Sequence, residues 1–199
     1  MSNTVDNGKR RFLTTAASVV VGGAGAAAVA VPFVTSMLPS AKAQAAGAAV
    51  EADISKLEVG QQMTIEWRGK PVWIIRRSTE TIENLASLDS LLVDPGSSVT
   101  SQQPEYCKND TRSIRDEVIV LVGVCTHLGC SPTYRPELAP EDLGPKWKGG
   151  FYCPCHGSRF DLAGRVYAGV PAPTNLVVPP YYFQGDNRLV IGEDAQGAA

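Results

Sequence analysis

Four of the five cysteines and both histidines of this 199-residue chain fall between residues 125 and 156. They form two boxes, Cys125-Thr126-His127-Leu128-Gly129-Cys130 and Cys153-Pro154-Cys155-His156-Gly157-Ser158. Each box offers a closely spaced Cys–His pair, C-x-H in the first and C-x-x-H in the second. Thiolate and imidazole together select zinc, iron or copper. Two sulfurs and two nitrogens suit a tetrahedral zinc site. They equally suit a two-iron cluster with both cysteines on one iron and both histidines on the other. Cys130 and Cys155 remain, one in each box.

The rest of the chain limits what can surround such a centre. The net charge is −2, so the basic surface that nucleic-acid binding needs is missing. The length allows one domain of about 150 residues plus an appendage. Nineteen Gly and fourteen Pro favour a turn-rich β architecture over a helix bundle. Charge is unevenly divided. Up to Lys42 there are four basic residues and one acidic, whereas from Ala43 onward there are fourteen basic and nineteen acidic. The basic end is a short N-terminal device attached to a mildly acidic globule.

That device is distinctive. Phe12 to Ala41 carries no charge over thirty residues, a helix of about 45 Å where a bilayer core needs about 20 residues. Pro32 and Pro39 are expected to shorten its regular part to Leu13–Val34. The preceding Asn7-Gly8-Lys9-Arg10-Arg11-Phe12-Leu13 has the twin-arginine pattern, an export address for proteins that cross the membrane already folded. As a mere positive flank it would set the same orientation, with the N-terminus in the cytoplasm. Ala43-Gln44-Ala45 fits a small-x-small cleavage site, but the apolar run exceeds the roughly 7–15 residues of a usual signal core. The chain thus divides into a cytoplasmic twin-arginine segment (1–12), a retained transmembrane anchor (13–41), a linker (42–51) and a globular domain (52–199).

Within the globule the periodicity is two. Met63–Trp67 and Val72–Ile75, joined by Arg68-Gly69-Lys70, predict a hairpin. Residues 80–92 have apolar positions that suit a short amphipathic helix. Val118–Val124 predicts a buried strand leading to Cys125, and residues 160–167 and 181–191 predict two further hairpins. Cys107 lies in a polar loop as a free thiol. Trp67, Trp73 and Trp147 suit core or hairpin packing, and the scattered Lys and Arg suit a solvated surface.

C-T-H-L-G-C with C-P-C-H-G-S resembles the signature of the Rieske [2Fe–2S] proteins of quinol–cytochrome c reductases. The resemblance extends to the twin-arginine anchor, the Ala-rich linker, Asp53-Ile54-Ser55, Trp67-Arg68-Gly69-Lys70-Pro71-Val72 and the Pro loop at 171–173. It implies an all-β Rieske-type domain of antiparallel sheets, with one [2Fe–2S] cluster at the tips of two loops. A single N-terminal transmembrane helix and a short helical insertion complete the fold.

By the same resemblance, Cys125 and Cys153 bind the inner iron, and His127 and His156 the outer one. Cys130 and Cys155 form a disulfide; closing a loop of about 24 residues is worth roughly 3–4 kcal/mol. Ser158 donates to a cluster sulfide, and Leu128 is the apolar tip that docks on cytochrome b. Two positions depart from the family: Phe160 where Tyr is common, and Val170 interposed in the Pro loop.

The implied function is that of the iron–sulfur subunit of a cytochrome bc complex. It accepts one electron and a proton from ubiquinol through His156, with His127 the second candidate, and passes the electron to a c-type cytochrome. The activity belongs to a dimeric complex in the bacterial inner membrane, with one pass and the Rieske domain in the periplasm. The main alternative is the Rieske subunit of a periplasmic oxidase such as arsenite oxidase, which would be cleaved near Ala45. A dioxygenase component is disfavoured by the export signal and the two extra cysteines, and a structural zinc module would show no cluster spectrum.

Overall fold

A computed structural model describes residues 6–41 and 47–195. The linker expected at 42–51 lies partly outside those residues, as does the possible cleavage site at 43–45. The chain divides into a helical unit and a β globule.

The helical unit is α1, Asn7–Ser36. Asp6 caps it by accepting from the N–H groups of Gly8 and Lys9 at 3.0 and 3.2 Å. The helix is long and apolar enough to cross a membrane, and it buries no residue. It starts before Leu13 and continues through Pro32. A proline there, in the final turns, removes a single backbone donor. Thr35 and Ser36 then satisfy late carbonyls by donating to Pro32 O and Phe33 O.

Among the described residues the globule has nine strands in three antiparallel sheets of three. β1 (Val50–Asp53), β9 (Arg188–Ile191) and β8 (Tyr181–Phe183) form one sheet, with β9 central. β2 (Gln62–Trp67), β3 (Lys70–Arg76) and β4 (Val118–Val122) form the second, and β5 (Thr133–Leu138), β6 (Lys148–Tyr152) and β7 (Arg159–Asp161) the third. The expected β2–β3 hairpin closes through Arg68 and Gly69, both at positive φ. That is the backbone of a two-residue turn matched to strand twist. All five residues of β4 are buried, as their unbroken apolar run predicts.

The helical insertion is shorter than expected. α2 spans Thr79–Ala86, with Ser78 accepting from Thr81 N, and a 3₁₀ turn follows at Asp89–Leu91. Ser87 Oγ donates to Asn84 O and Asp89 reaches Arg165 at 2.9 Å, so side-chain bonds redirect the chain where the apolar pattern would continue it. Leu88 and Leu92 pack with Leu143, Trp147 and Tyr167 in a satellite core.

Three arginines depart from the expected solvated surface: Arg77, Arg112 and Arg165 are buried. All three converge on the turn after β7. Arg77 donates to Leu162 O, Arg112 to Ala163 O, and Arg165 Nε to Asp161 Oδ2 at 2.8 Å. Asp161, fully buried, also accepts from the N–H groups of Ala163 and Arg165. Burial pushes the Arg77 and Arg112 guanidiniums down to about 10, with Asp161 opposing the shift. A buried guanidinium persists only where its donors are met, and here backbone carbonyls meet most of them.

Candidate metal centre

β4 delivers the first box and β6 the second, and the two loops close in the same way. In the first, Cys125 N–H donates to Cys130 O at 2.7 Å and Gly129 N–H to Cys125 O at 3.0 Å. In the second, Cys153 N–H donates to Ser158 O at 2.8 Å and Gly157 N–H to Cys153 O at 2.9 Å. Both glycines sit at positive φ, +85° and +78°, where a side chain would strain the turn. The boxes are thus two copies of one tight loop.

Cys130 and Cys155 form the disulfide that clamps these loops, with Cα atoms 6.7 Å apart. Cys125 and Cys153 remain free, each 2% exposed. Burial pushes the Cys153 thiol up, and the adjacent Cys125 adds to that shift. The rings of His127 and His156 meet edge to face, with centroids 4.7 Å apart. His127 is half-buried and His156 exposed. Leu128 stands beyond them at 72% exposure. All eight residues singled out from the sequence are in or beside the two loops. The sulfurs of Cys130, Cys153 and Cys155 also lie within 4.8 Å of one another, but two of them are spent in the disulfide.

A third segment closes the arrangement. Thr126 Oγ1 donates to Thr174 O at 2.7 Å, and Ala172 N–H donates to Ser158 Oγ at 3.1 Å. The Pro loop is therefore bonded to both boxes; of the four residues involved, Ser158 alone carried an expectation of its own. Phe160 is fully buried in the same core as Cys125 and Cys153. Two buried thiols beneath two outward imidazoles form a donor set that fits a [2Fe–2S] cluster with unlike ligands on its two irons. Within the two boxes, the disulfide leaves Cys125 and Cys153 as the free thiols.

The Rieske [2Fe-2S] domain family matches residues 48–181, and the family described as "Ubiquitinol-cytochrome C reductase Fe-S subunit TAT signal" matches residues 1–40. The ubiquinol-cytochrome c reductase iron-sulfur subunit of Allochromatium vinosum is 61% identical over 192 residues, 96% of this chain and 92% of its own. That of Blastochloris viridis is 42% identical, covering 96% of each chain. A solved structure titled "Hyperthermophilic respiratory Complex III" is 27% identical, with a TM-score of 0.49 over 88% of this chain and 98% of that one.

Proposed function

Because the chain belongs to the Rieske [2Fe–2S] family, among the ubiquinol–cytochrome c reductase iron–sulfur subunits, we propose that it takes one electron, with a proton, from ubiquinol and passes the electron to a c-type cytochrome. When bound, the [2Fe–2S] cluster supplies a reversible one-electron carrier. Cys125 and Cys153 hold it from the buried side and His127 and His156 from the exposed side. The exposure of His156 carries this reading: it is the more open of the two imidazoles. With one ring nitrogen given to the cluster, the other would be left to accept a hydrogen bond from a quinol hydroxyl.

Leu128, apolar and 72% exposed within the first box, is the side chain that meets cytochrome b in this reading. The quinol pocket belongs to that partner, and the activity to a dimeric complex. α1 anchors the chain in the bacterial inner membrane by a single pass, with its basic N-terminus in the cytoplasm and the globule in the periplasm.

Purification from detergent-solubilised membranes tests the assignment. The expected result is this chain together with b- and c-type cytochromes, a cluster EPR signal on reduction, and intact mass that includes residues before Ala43. Recovery as a soluble periplasmic protein starting at Ala46, without cytochromes, overturns it.

A further inference from the structure

Ser158 is fully buried, and its Oγ accepts the 3.1 Å hydrogen bond from Ala172 N–H. Among the described residues no protein atom accepts the proton of this hydroxyl. A buried donor without an acceptor is rare and costly. This one stands at the end of the second box, where the carbonyl of the same residue takes the N–H of Cys153. An acceptor outside the polypeptide is therefore implied.

The donor that holds Ser158 is unusually well mounted. Ala172 lies between Pro171 and Pro173, and prolines have no N–H. Its amide is the one donor of the tripeptide. Pro171 has a fixed φ, and Pro173 drives Ala172 out of the helical region. Ala172 is itself buried, and the carbonyl of Thr174 just beyond is bonded to Thr126. The tripeptide is a stiff bracket that presents one N–H to one hydroxyl.

A serine hydroxyl has a single proton that rotates to suit its surroundings. Once Ala172 N–H occupies part of the oxygen's acceptor capacity, only rotor positions compatible with that bond remain. We propose that Ala172 is a positioning residue for the redox reaction: its N–H fixes the Ser158 hydroxyl so that the proton is offered to a cluster sulfur. This rests on the reading that the two boxes hold a Rieske cluster. Reduction adds negative charge to the sulfurs. A donor already aimed at them stabilises the reduced form without reorganising. The hydrogen bond from the amide also polarises the hydroxyl, which strengthens its own donation.

The test uses the full-length cluster-loaded protein in detergent and a double-substitution cycle on the midpoint potential. Ala172→lactate turns the amide into an ester and deletes only the N–H. It is expected to disfavour the reduced state about threefold, a fall of about 28 mV at 59 mV per tenfold. In Ser158→Ala, itself expected to lower the potential by more than the ester does, the ester should add nothing. A fall from the ester of equal size in both backgrounds overturns the proposal, because the amide then acts independently of the hydroxyl. If Ser158→Ala lowers the potential and the ester does not, Ala172 has no positioning role, while the placement of Ser158 stands. If Ser158→Ala itself moves nothing, that placement fails and takes the proposal with it. Hydrogen exchange supplies a second measurement that does not need the ester. Segment 171–173 reports one amide, which should exchange about tenfold faster in Ser158→Ala; an unchanged rate overturns the proposal.

Discussion

The indole of Trp73 and the ring of Phe151 stack with centroids 4.9 Å apart and planes 14° from parallel. Trp73 lies in β3, paired with Leu121 of the strand that leads to Cys125, and Phe151 lies in the strand that leads to Cys153. The contact therefore holds the two box-bearing sheets in register with each other. Trp73→Ala is expected to cost about 3–5 kcal/mol, seen as a lower Tm and as loss of visible cluster absorption before global unfolding. Unchanged cluster retention would mean that the disulfide and the Pro-loop bonds suffice to set the spacing of the loops.

The Arg165–Asp161 pair is buried on both sides. Removing Asp161 leaves Arg165 with the half-exposed Asp89 as its anionic partner and leaves the buried N–H groups of Ala163 and Arg165 unmet, which costs about 3–5 kcal/mol. Asp161→Ala is expected to show a loss of that size in denaturant titration. Asp161→Asn should lose less, because an amide oxygen can still accept from the N–H groups of Ala163 and Arg165.

Cys130→Ser leaves the four proposed ligands in place and removes the clamp. About 3–4 kcal/mol of stability should go with it, and cluster content of the purified protein should fall. Full occupancy with an unchanged Tm would show that the backbone bonds within each loop suffice.

Phe160→Tyr places a hydroxyl in the core that contains Cys125 and Cys153. A hydrogen bond to a charged group is worth about 1.5–3 kcal/mol. If about half of this distinguishes the two redox states, the midpoint potential rises by about 50 mV at 59 mV per 1.4 kcal/mol. Protein-film voltammetry decides the matter. A shift under about 10 mV together with a lower Tm would show that the hydroxyl finds no acceptor.

Burial pushes the Cys107 thiol up to about 11. The unfolded chain ionises this group near pH 9 while the fold retains the proton, so its contribution to stability falls between pH 9 and 11. Cys107→Ala should flatten the stability–pH curve over that window. In the native protein Cys107 should also resist thiol reagents at pH 8 and become reactive only in denaturant.

The two boxes were legible because each is a continuous run of six residues whose chemistry is written in adjacent letters. The β2–β3 hairpin was legible for the same local reason, with Arg68-Gly69 between two alternating strands. The buried arginines were not. Arg77 and Arg112 bond mainly to backbone carbonyls, which every residue has, so no partner residue marks them in the sequence. Asp161 looked like an ordinary hairpin residue, and only the burial of its turn around the Arg165 guanidinium gives it its role. Cys107 was recognised as a free thiol, but its burial beside Tyr181 comes from a strand more than seventy residues away. Thr126 and Ala172 were missed because a tie between loops depends on which backbone groups the fold brings opposite them.

The turn after β7 carries a consequence for the order in which the molecule is made. Its bonds to Arg77, Leu85, Asp89 and Arg112 span 85, 80, 76 and 51 positions of chain. Such long closures are entropically slow and gain nothing until both ends have met. β7, the strand that leaves the second box, is therefore anchored only after the segment from Arg77 to Arg112 has folded against the turn that follows it. Occupancy of the centre becomes a report on folding at a distance: a chain that holds the cluster firmly has already closed contacts that span 51 to 85 positions.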